Sequence, residues 1–185
     1  MIILFLIMLG LVALLIGFTT KIISLVKQGD TREIIEFFAK YLNVIFIGLF
    51  ILYFITIIIS ARYIFKSELI LVLIVKTLIE VIYFFGIYGY TKLLMINLQK
   101  NKIFISENSH LTKSIGTTFI YLAITEIIAG LISSVFIFMI SDYKEFKLQT
   151  NTSIILYIVI GLILLIVSSI LERAIKIHQE NELTI

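Results

Sequence analysis

The 185-residue chain has no cysteine, no proline and no tryptophan, and only two histidines, His110 and His178. Without cysteine neither a disulfide nor a thiolate metal ligand can form, and two histidines alone make a metal site a poor expectation. Charge is scarce as well: 15% of the residues are charged against 61% hydrophobic, and the mean hydropathy is +1.15. That is more apolar surface than a water-soluble fold of this length can bury, so the chain needs lipid as its solvent. Isoleucine dominates the apolar residues and lysine outnumbers arginine twelve to three, which together with the missing proline and tryptophan suits a low-GC bacterial gene.

The net charge of +3 does not argue for nucleic acid. The basic residues are spread through short segments between apolar runs rather than gathered on one face, so direct nucleic-acid binding is not expected. Loop charge that orients a membrane protein accounts for them better. Catalytic groups are missing too: there is no HExxH, no Glu pair with a downstream metal-binding His, no GxSxG and no Gly-rich phosphate loop. The expectation is a protein that is not an enzyme and holds no cofactor or metal.

Five stretches read as membrane helices, at 2–18, 42–61, 69–90, 116–140 and 154–171. Each is close to the roughly 20 residues that cross about 30 Å of hydrocarbon. Their abundant Ile and Val do not argue for strands, because runs of this length without period-two alternation satisfy their backbone groups in lipid only as helices. The first run lacks a positive n-region and a small-x-small cleavage site before Lys21, so it reads as a retained helix rather than a signal peptide. The fold class expected is all-α: a polytopic transmembrane helical bundle of five spans, alternatively four, in one integral membrane domain covering 1–185, with no internal repeat.

Counting Lys and Arg between the spans orients it. One side collects ten: Lys21, Lys27, Arg32, Lys40, Lys92, Lys100, Lys102, Lys113, Arg173 and Lys176. The other side holds four, Arg62, Lys66, Lys144 and Lys147, and Lys76 falls inside the third run. The asymmetry predicts an outside N-terminus and a cytoplasmic C-terminus. Between the first two runs, Asp30 and Glu33 have the spacing of a capping box. After them Ile34, Phe37, Phe38, Tyr41 and Ile45 repeat at helical spacing opposite Arg32, Glu36 and Lys40. This predicts a short amphipathic helix, either lying on the membrane surface or serving as a solvated connector, that runs into the second span.

Lys76 and Glu80 in the third run and Glu126 in the fourth are the expensive residues. A charge at the bilayer centre costs about 2.5–3.5 kcal/mol on insertion scales, so each needs a partner. Lys76, Glu80, Tyr83, Ile87 and Tyr90 share one helical face; Ala123, Glu126, Gly130 and Ser133 or Ser134 form a small, polar face on the next helix. These faces are expected to meet, helped by the small-xxx-small spacing of Gly130 with Ser134 and Ala129 with Ser133. Either the cluster is a structural ion pair, with the second carboxyl protonated, or it is an ion or proton relay or a polar ligand pocket. Tyr53, Thr56 and Ser60 make a weaker stripe that could line the same space.

Two stretches carry a resemblance. Lys100-Asn101-Lys102-Ile103-Phe104-Ile105-Ser106-Glu107-Asn108, continuing to Lys113, Ile115 and Gly116, resembles the Phe-x-x-Glu-Asn signature before a membrane helix in the bacterial family catalogued as domain of unknown function two-nine-seven-five. The end, Glu180-Asn181-Glu182-Leu183-Thr184-Ile185, resembles that family's closing Glu-Asn-Asp-Leu-Thr-Val. Members are small multi-pass membrane proteins, usually of four spans rather than five, often encoded beside a short helix-turn-helix regulator. The resemblance therefore implies a bacterial cytoplasmic membrane protein with a cytosolic transcription factor as partner. Ser106 to Asn108 also offers helix caps, and the last helix should continue past Leu171 through Ile175 and His178. Lys100, Lys102, Phe104, Glu107 and Asn108 with Glu180, Asn181, Glu182 and Leu183 are the expected docking residues, the acidic tail facing the basic loop. The leading expectation is thus a membrane regulator or sensor; self-protection against a membrane-active peptide and a small transporter or channel are the alternatives.

Overall fold

The computed structural model describes residues 2–29, 31–64, 70–140 and 151–182. They form five helices and no strand: α1 (Ile2–Gln28), α2 (Thr31–Ile64), α3 (Ile70–Gln99), α4 (Ser106–Ile140) and α5 (Ser153–Glu182). Four stretches among the described residues are long and apolar enough to cross a membrane, Thr31–Ile55, Ile70–Gln99, Ser106–Met139 and Ser153–Asn181. Lys66, Lys144, Lys147 and Leu183, and the Asp30 capping position, lie outside the described residues, as do the side chains of Thr56, Ser60, Arg62 and Glu182.

The helices outrun the apolar stretches that announce them. α2 is one continuous helix of 34 residues, about 51 Å long at 1.5 Å per residue. With no proline anywhere in the chain, nothing in the sequence forces a break between its polar start and its apolar body. The short amphipathic helix expected to run into the second span is the first part of α2, continuous with it. Its apolar face meets α1: the Phe18 ring stacks on Phe37 at 4.9 Å between centroids and meets Phe38 and Tyr41 edge-on. α4 likewise starts at Ser106, where the caps were expected, and runs on through the apolar stretch from 116, and α5 continues past Leu171 to Glu182 as expected.

Backbone packing among the described residues follows chain order, α1 on α2, α2 on α3, α3 on α4, and most extensively α4 on α5. The α4–α5 seam explains its own extent. A methyl group on Gly161 would stand 2.7 Å from Ile120 Cδ1 and 2.9 Å from the Gly116 carbonyl oxygen, and one on Gly116 would be 3.0 Å from the Gly161 carbonyl oxygen. Only glycine at both positions lets the backbones touch. One end of the seam is tied by hydroxyls: Ser109 Oγ donates to the Ser168 carbonyl at 3.1 Å, and Ser168 Oγ to the Ser109 carbonyl at 2.9 Å. Ser134 is buried and donates to the Gly130 carbonyl of its own helix at 2.7 Å.

The distribution of polarity is that of a protein solvated by lipid. Leu71, Leu78, Ile82, Met139, Ile155, Ile166 and Ile170 are all well exposed, whereas Glu80, Asn108, Ser109, Thr112, Thr118, Glu126, Ser134 and Ser168 are buried. An exterior of this kind, continuous along four long helices, would be an aggregation surface in water and is the ordinary exterior in a bilayer. Inside, Ile87, Ile115 and Leu122 form a small core, packed by Phe46 of α2, Tyr83 and Leu94 of α3, Phe119 of α4, and Tyr157 and Leu164 of α5.

Candidate functional site

Halfway along the apolar part of α3, one turn of helix places Lys76 and Glu80 on the face that meets α4. Lys76 Nζ lies 2.8 Å from Glu126 Oε2 and 3.6 Å from Glu80 Oε1. The meeting of the two faces anticipated from the sequence is present, and the amine sits between both carboxyls. Glu80 and Glu126 lie within hydrogen-bonding reach of each other, and both are buried. One ammonium and two adjacent carboxyls are balanced when one carboxyl carries a proton, which leaves a cluster without net charge and with a hydrogen bond between its acids.

Two tyrosines complete the cluster. Tyr53 of α2 donates its hydroxyl to Glu80 Oε2, and Thr77 of α3 hydrogen-bonds the same hydroxyl. Tyr157 of α5 comes within electrostatic reach of both carboxyls. Three helices, α2, α3 and α4, thus contribute to one polar site with Tyr157 of α5 in its vicinity, and each of the buried acids has a partner, as the cost of unpaired charge in hydrocarbon requires. Tyr157 was not singled out by its sequence pattern. An aromatic hydroxyl among Ile, Leu and Val near the start of the 154–171 run was the signal available.

A cleft of about 300 Å³ runs beside the cluster between α3 and α4, lined by Leu71, Val72, Val75, Lys76 and Ile79 on one side and by Thr125, Ile128, Ala129 and Ile132 on the other. Among the described residues Lys76 is its only charged lining residue. The arrangement holds no constellation of three or more metal-ligating side chains among the described residues.

At the far end of α3 and α4 the second set of expected residues divides. Asn97 Nδ2 donates to Glu107 Oε2 at 3.1 Å and to Asn108 Oδ1 at 3.0 Å. Asn108 Nδ2 in turn donates to the Lys102 carbonyl at 2.6 Å and the Ile103 carbonyl at 3.0 Å. Asn108 is wholly buried, so it cannot be a docking residue. It is the clip that folds the α3–α4 turn, in which Asn101 adopts the left-handed φ of 57° that asparagine tolerates. Lys100, Lys102, Phe104 and Glu107 remain exposed.

The turn does meet α5, though not through charge. Phe104 packs on His178, with ring centroids 5.2 Å apart. Lys100 and Lys102 make no ion pair with any described residue, and the Glu182 side chain with residues 183–185 of the acidic tail lies outside the described residues. Glu180 and Asn181 sit exposed in the last turn of α5. Beside them a groove of about 510 Å³ opens between α4 and α5, lined by Ser106, Glu107, Ser109, His110, Lys113, Glu172, Ile175, Lys176 and Gln179. The sequence pattern singled out neither Glu172 nor Gln179.

A family model described as "Protein of unknown function (DUF2975)" matches residues 39–185. The match begins inside α2 and takes in the whole intramembrane cluster, the clip and the tail, and it extends well upstream of the two stretches that carry the resemblance. No curated protein and no solved structure matches the chain.

Proposed function

The chain belongs to the DUF2975 family of proteins of unknown function, and from that premise we propose that it is a non-enzymatic regulator or sensor in a bacterial cytoplasmic membrane. It acts on a cytosolic partner, the helix-turn-helix protein encoded beside such genes, held at the end of the bundle where the α3–α4 turn meets α5. The observation that supports this is the convergence of two stretches over seventy residues apart in sequence: Phe104 lies on His178. The adjoining groove presents Glu107, Lys113, Glu172 and Lys176 around an apolar floor at Ile175. Mixed charge around a small apolar centre is the composition of a surface that recognises a protein segment.

The reading requires this end to face the cytosol, with α1 crossing as a fifth span. An alkaline phosphatase fused after Asn151 should be active and one fused after Ile185 inactive; the reverse pattern overturns the proposal at its base. The partner test uses Lys113→Glu with Lys176→Glu. The neighbouring regulator, co-purified with the detergent-solubilised wild type, should be depleted about tenfold or more by the double substitution, since reversing two charges at a rim exchanges attraction for repulsion. The membrane level of the protein should not change. Equal recovery of the regulator sinks the reading.

One observation favours a second reading, a small transporter or channel: the polar cluster draws on three helices, α2, α3 and α4, rather than on a single pair.

A further inference from the structure

The donors of Lys76 can be accounted for one by one. An ammonium has three N–H groups. Glu126 takes one at 2.8 Å and Glu80 lies along a second at 3.6 Å. Among the described residues the third has no acceptor, and the Lys76 side chain keeps 23% of its surface accessible. That surface lines the cleft between α3 and α4, where Leu71, Val75 and Ile79 face Ile128, Ala129 and Ile132; the one other polar lining group, the Thr125 hydroxyl, already donates its hydrogen to the Tyr121 carbonyl of its own helix at 2.9 Å. The cleft therefore offers an apolar body a place with a single hydrogen-bond donor at its inner wall.

The charge of the cluster and the depth of Lys76 narrow the occupant. An anionic head is disfavoured, because the ammonium already faces two carboxyls and a third negative group would have no counter-charge. A cation would be repelled by the ammonium in front of it. The head must be a neutral acceptor. Lys76 lies six residues inside α3, about 9 Å along the helix from Ile70, well within the hydrocarbon. The ester carbonyls of a phospholipid sit at the hydrocarbon edge and do not reach that depth when the lipid stands in its leaflet. A flat apolar molecule that carries its carbonyls into the bilayer interior does. At about 300 Å³ the cleft falls at the lower end of the volumes that hold small ligands, roughly 300–1,000 Å³.

We propose that the α3–α4 cleft is a binding site for a membrane quinone, with Lys76 donating its third hydrogen bond to a quinone carbonyl and Glu80 and Glu126 holding the ammonium in place. The site binds; no electron or proton transfer is implied. It is independent of the cytosolic groove, so its failure would leave the partner reading standing, and the reverse.

The test uses the full chain in nanodiscs, with empty nanodiscs as the control for partitioning, and menadione as the probe. The chain has no cysteine for this electrophile to modify. Equilibrium dialysis should show saturable binding of one menadione per chain. Methylnaphthalene, which has the same shape without the carbonyls, should bind about tenfold more weakly or worse, the expected loss of one charge-assisted hydrogen bond. Ala129→Leu, which fills the cleft without touching the cluster, should also weaken menadione binding about tenfold or more while the unfolding temperature stays within a few degrees of wild type. Absence of saturable binding overturns the proposal. So does equal affinity for methylnaphthalene, which would make the cleft a greasy surface, or undiminished binding in a folded Ala129→Leu protein, which would put the probe elsewhere.

Discussion

Lys76→Met is expected to destabilise the protein by about 3–5 kcal/mol, the cost of removing one partner from a buried ion pair. The geometry makes the lysine the worst member of the cluster to lose. It is the cation between Glu126 at 2.8 Å and Glu80 at 3.6 Å, and without it two adjacent acids remain in hydrocarbon with no counter-charge among the described residues, with each other and the Tyr53 hydroxyl as partners. Glu126→Gln should cost less, because Glu80 still balances the ammonium and the new amide can accept its hydrogen bond. In the Lys76→Met, Glu126→Gln double variant much of the loss should return, since replacing a buried pair as a whole is often neutral. Unfolding in detergent, followed by circular dichroism for the two single variants and the double, checks the order. If Glu126→Gln is as stable as wild type yet loses regulation at every pH, the cluster is a relay rather than a brace.

That cluster was legible because charge in an apolar run is costly, and cost leaves a mark in sequence. Lys76, Glu80 and Glu126 stand out against Ile and Leu, and helical spacing puts them on faces that could meet. Tyr157 and the Gly116–Gly161 contact left no comparable mark. Each glycine is unremarkable alone, and their pairing is a property of two helices in register, which no single-helix pattern contains. The helix ends were legible where caps marked them: α4 starts at Ser106, and α5 continues past Leu171 to Glu182. Hydropathy stops at the hydrocarbon edge, whereas hydrogen bonding carries α4 back to Ser106 through a polar stretch in which Asn108, Ser109 and Thr112 are buried. The same stretch explains why the Glu-Asn motif looked like a docking signal. Polar residues in a turn are read as exposed by default, and here the asparagine is the interior of the turn.

Asn108→Leu, for the same reason, should be felt far from any partner. The substitution keeps the approximate size of the side chain and removes an amide that makes three hydrogen bonds: it accepts one from Asn97 at 3.0 Å and donates two, to the Lys102 carbonyl at 2.6 Å and the Ile103 carbonyl at 3.0 Å. Leucine leaves both carbonyls without that donor in a place with no access to solvent for the side chain, and unsatisfied buried groups cost about 1–3 kcal/mol each. Some of that will be recovered by opening the turn to water, so a net loss of about 3 kcal/mol is the expected result. Opening the turn has a structural consequence beyond stability. Phe104 would leave His178, with ring centroids now 5.2 Å apart, and the hydroxyl tie between Ser109 and Ser168 one residue away would lose its register. Limited proteolysis distinguishes this from global unfolding. Cleavage after Lys100 or Lys102 should accelerate in Asn108→Leu while the spans remain protected, and Asn108→Asp, which keeps an acceptor for Asn97 but loses both donors, should fall between the two. If Asn108→Leu resists the protease as wild type does, the clip does not hold the turn, and the exposed Glu107 and buried Asn108 would need another explanation.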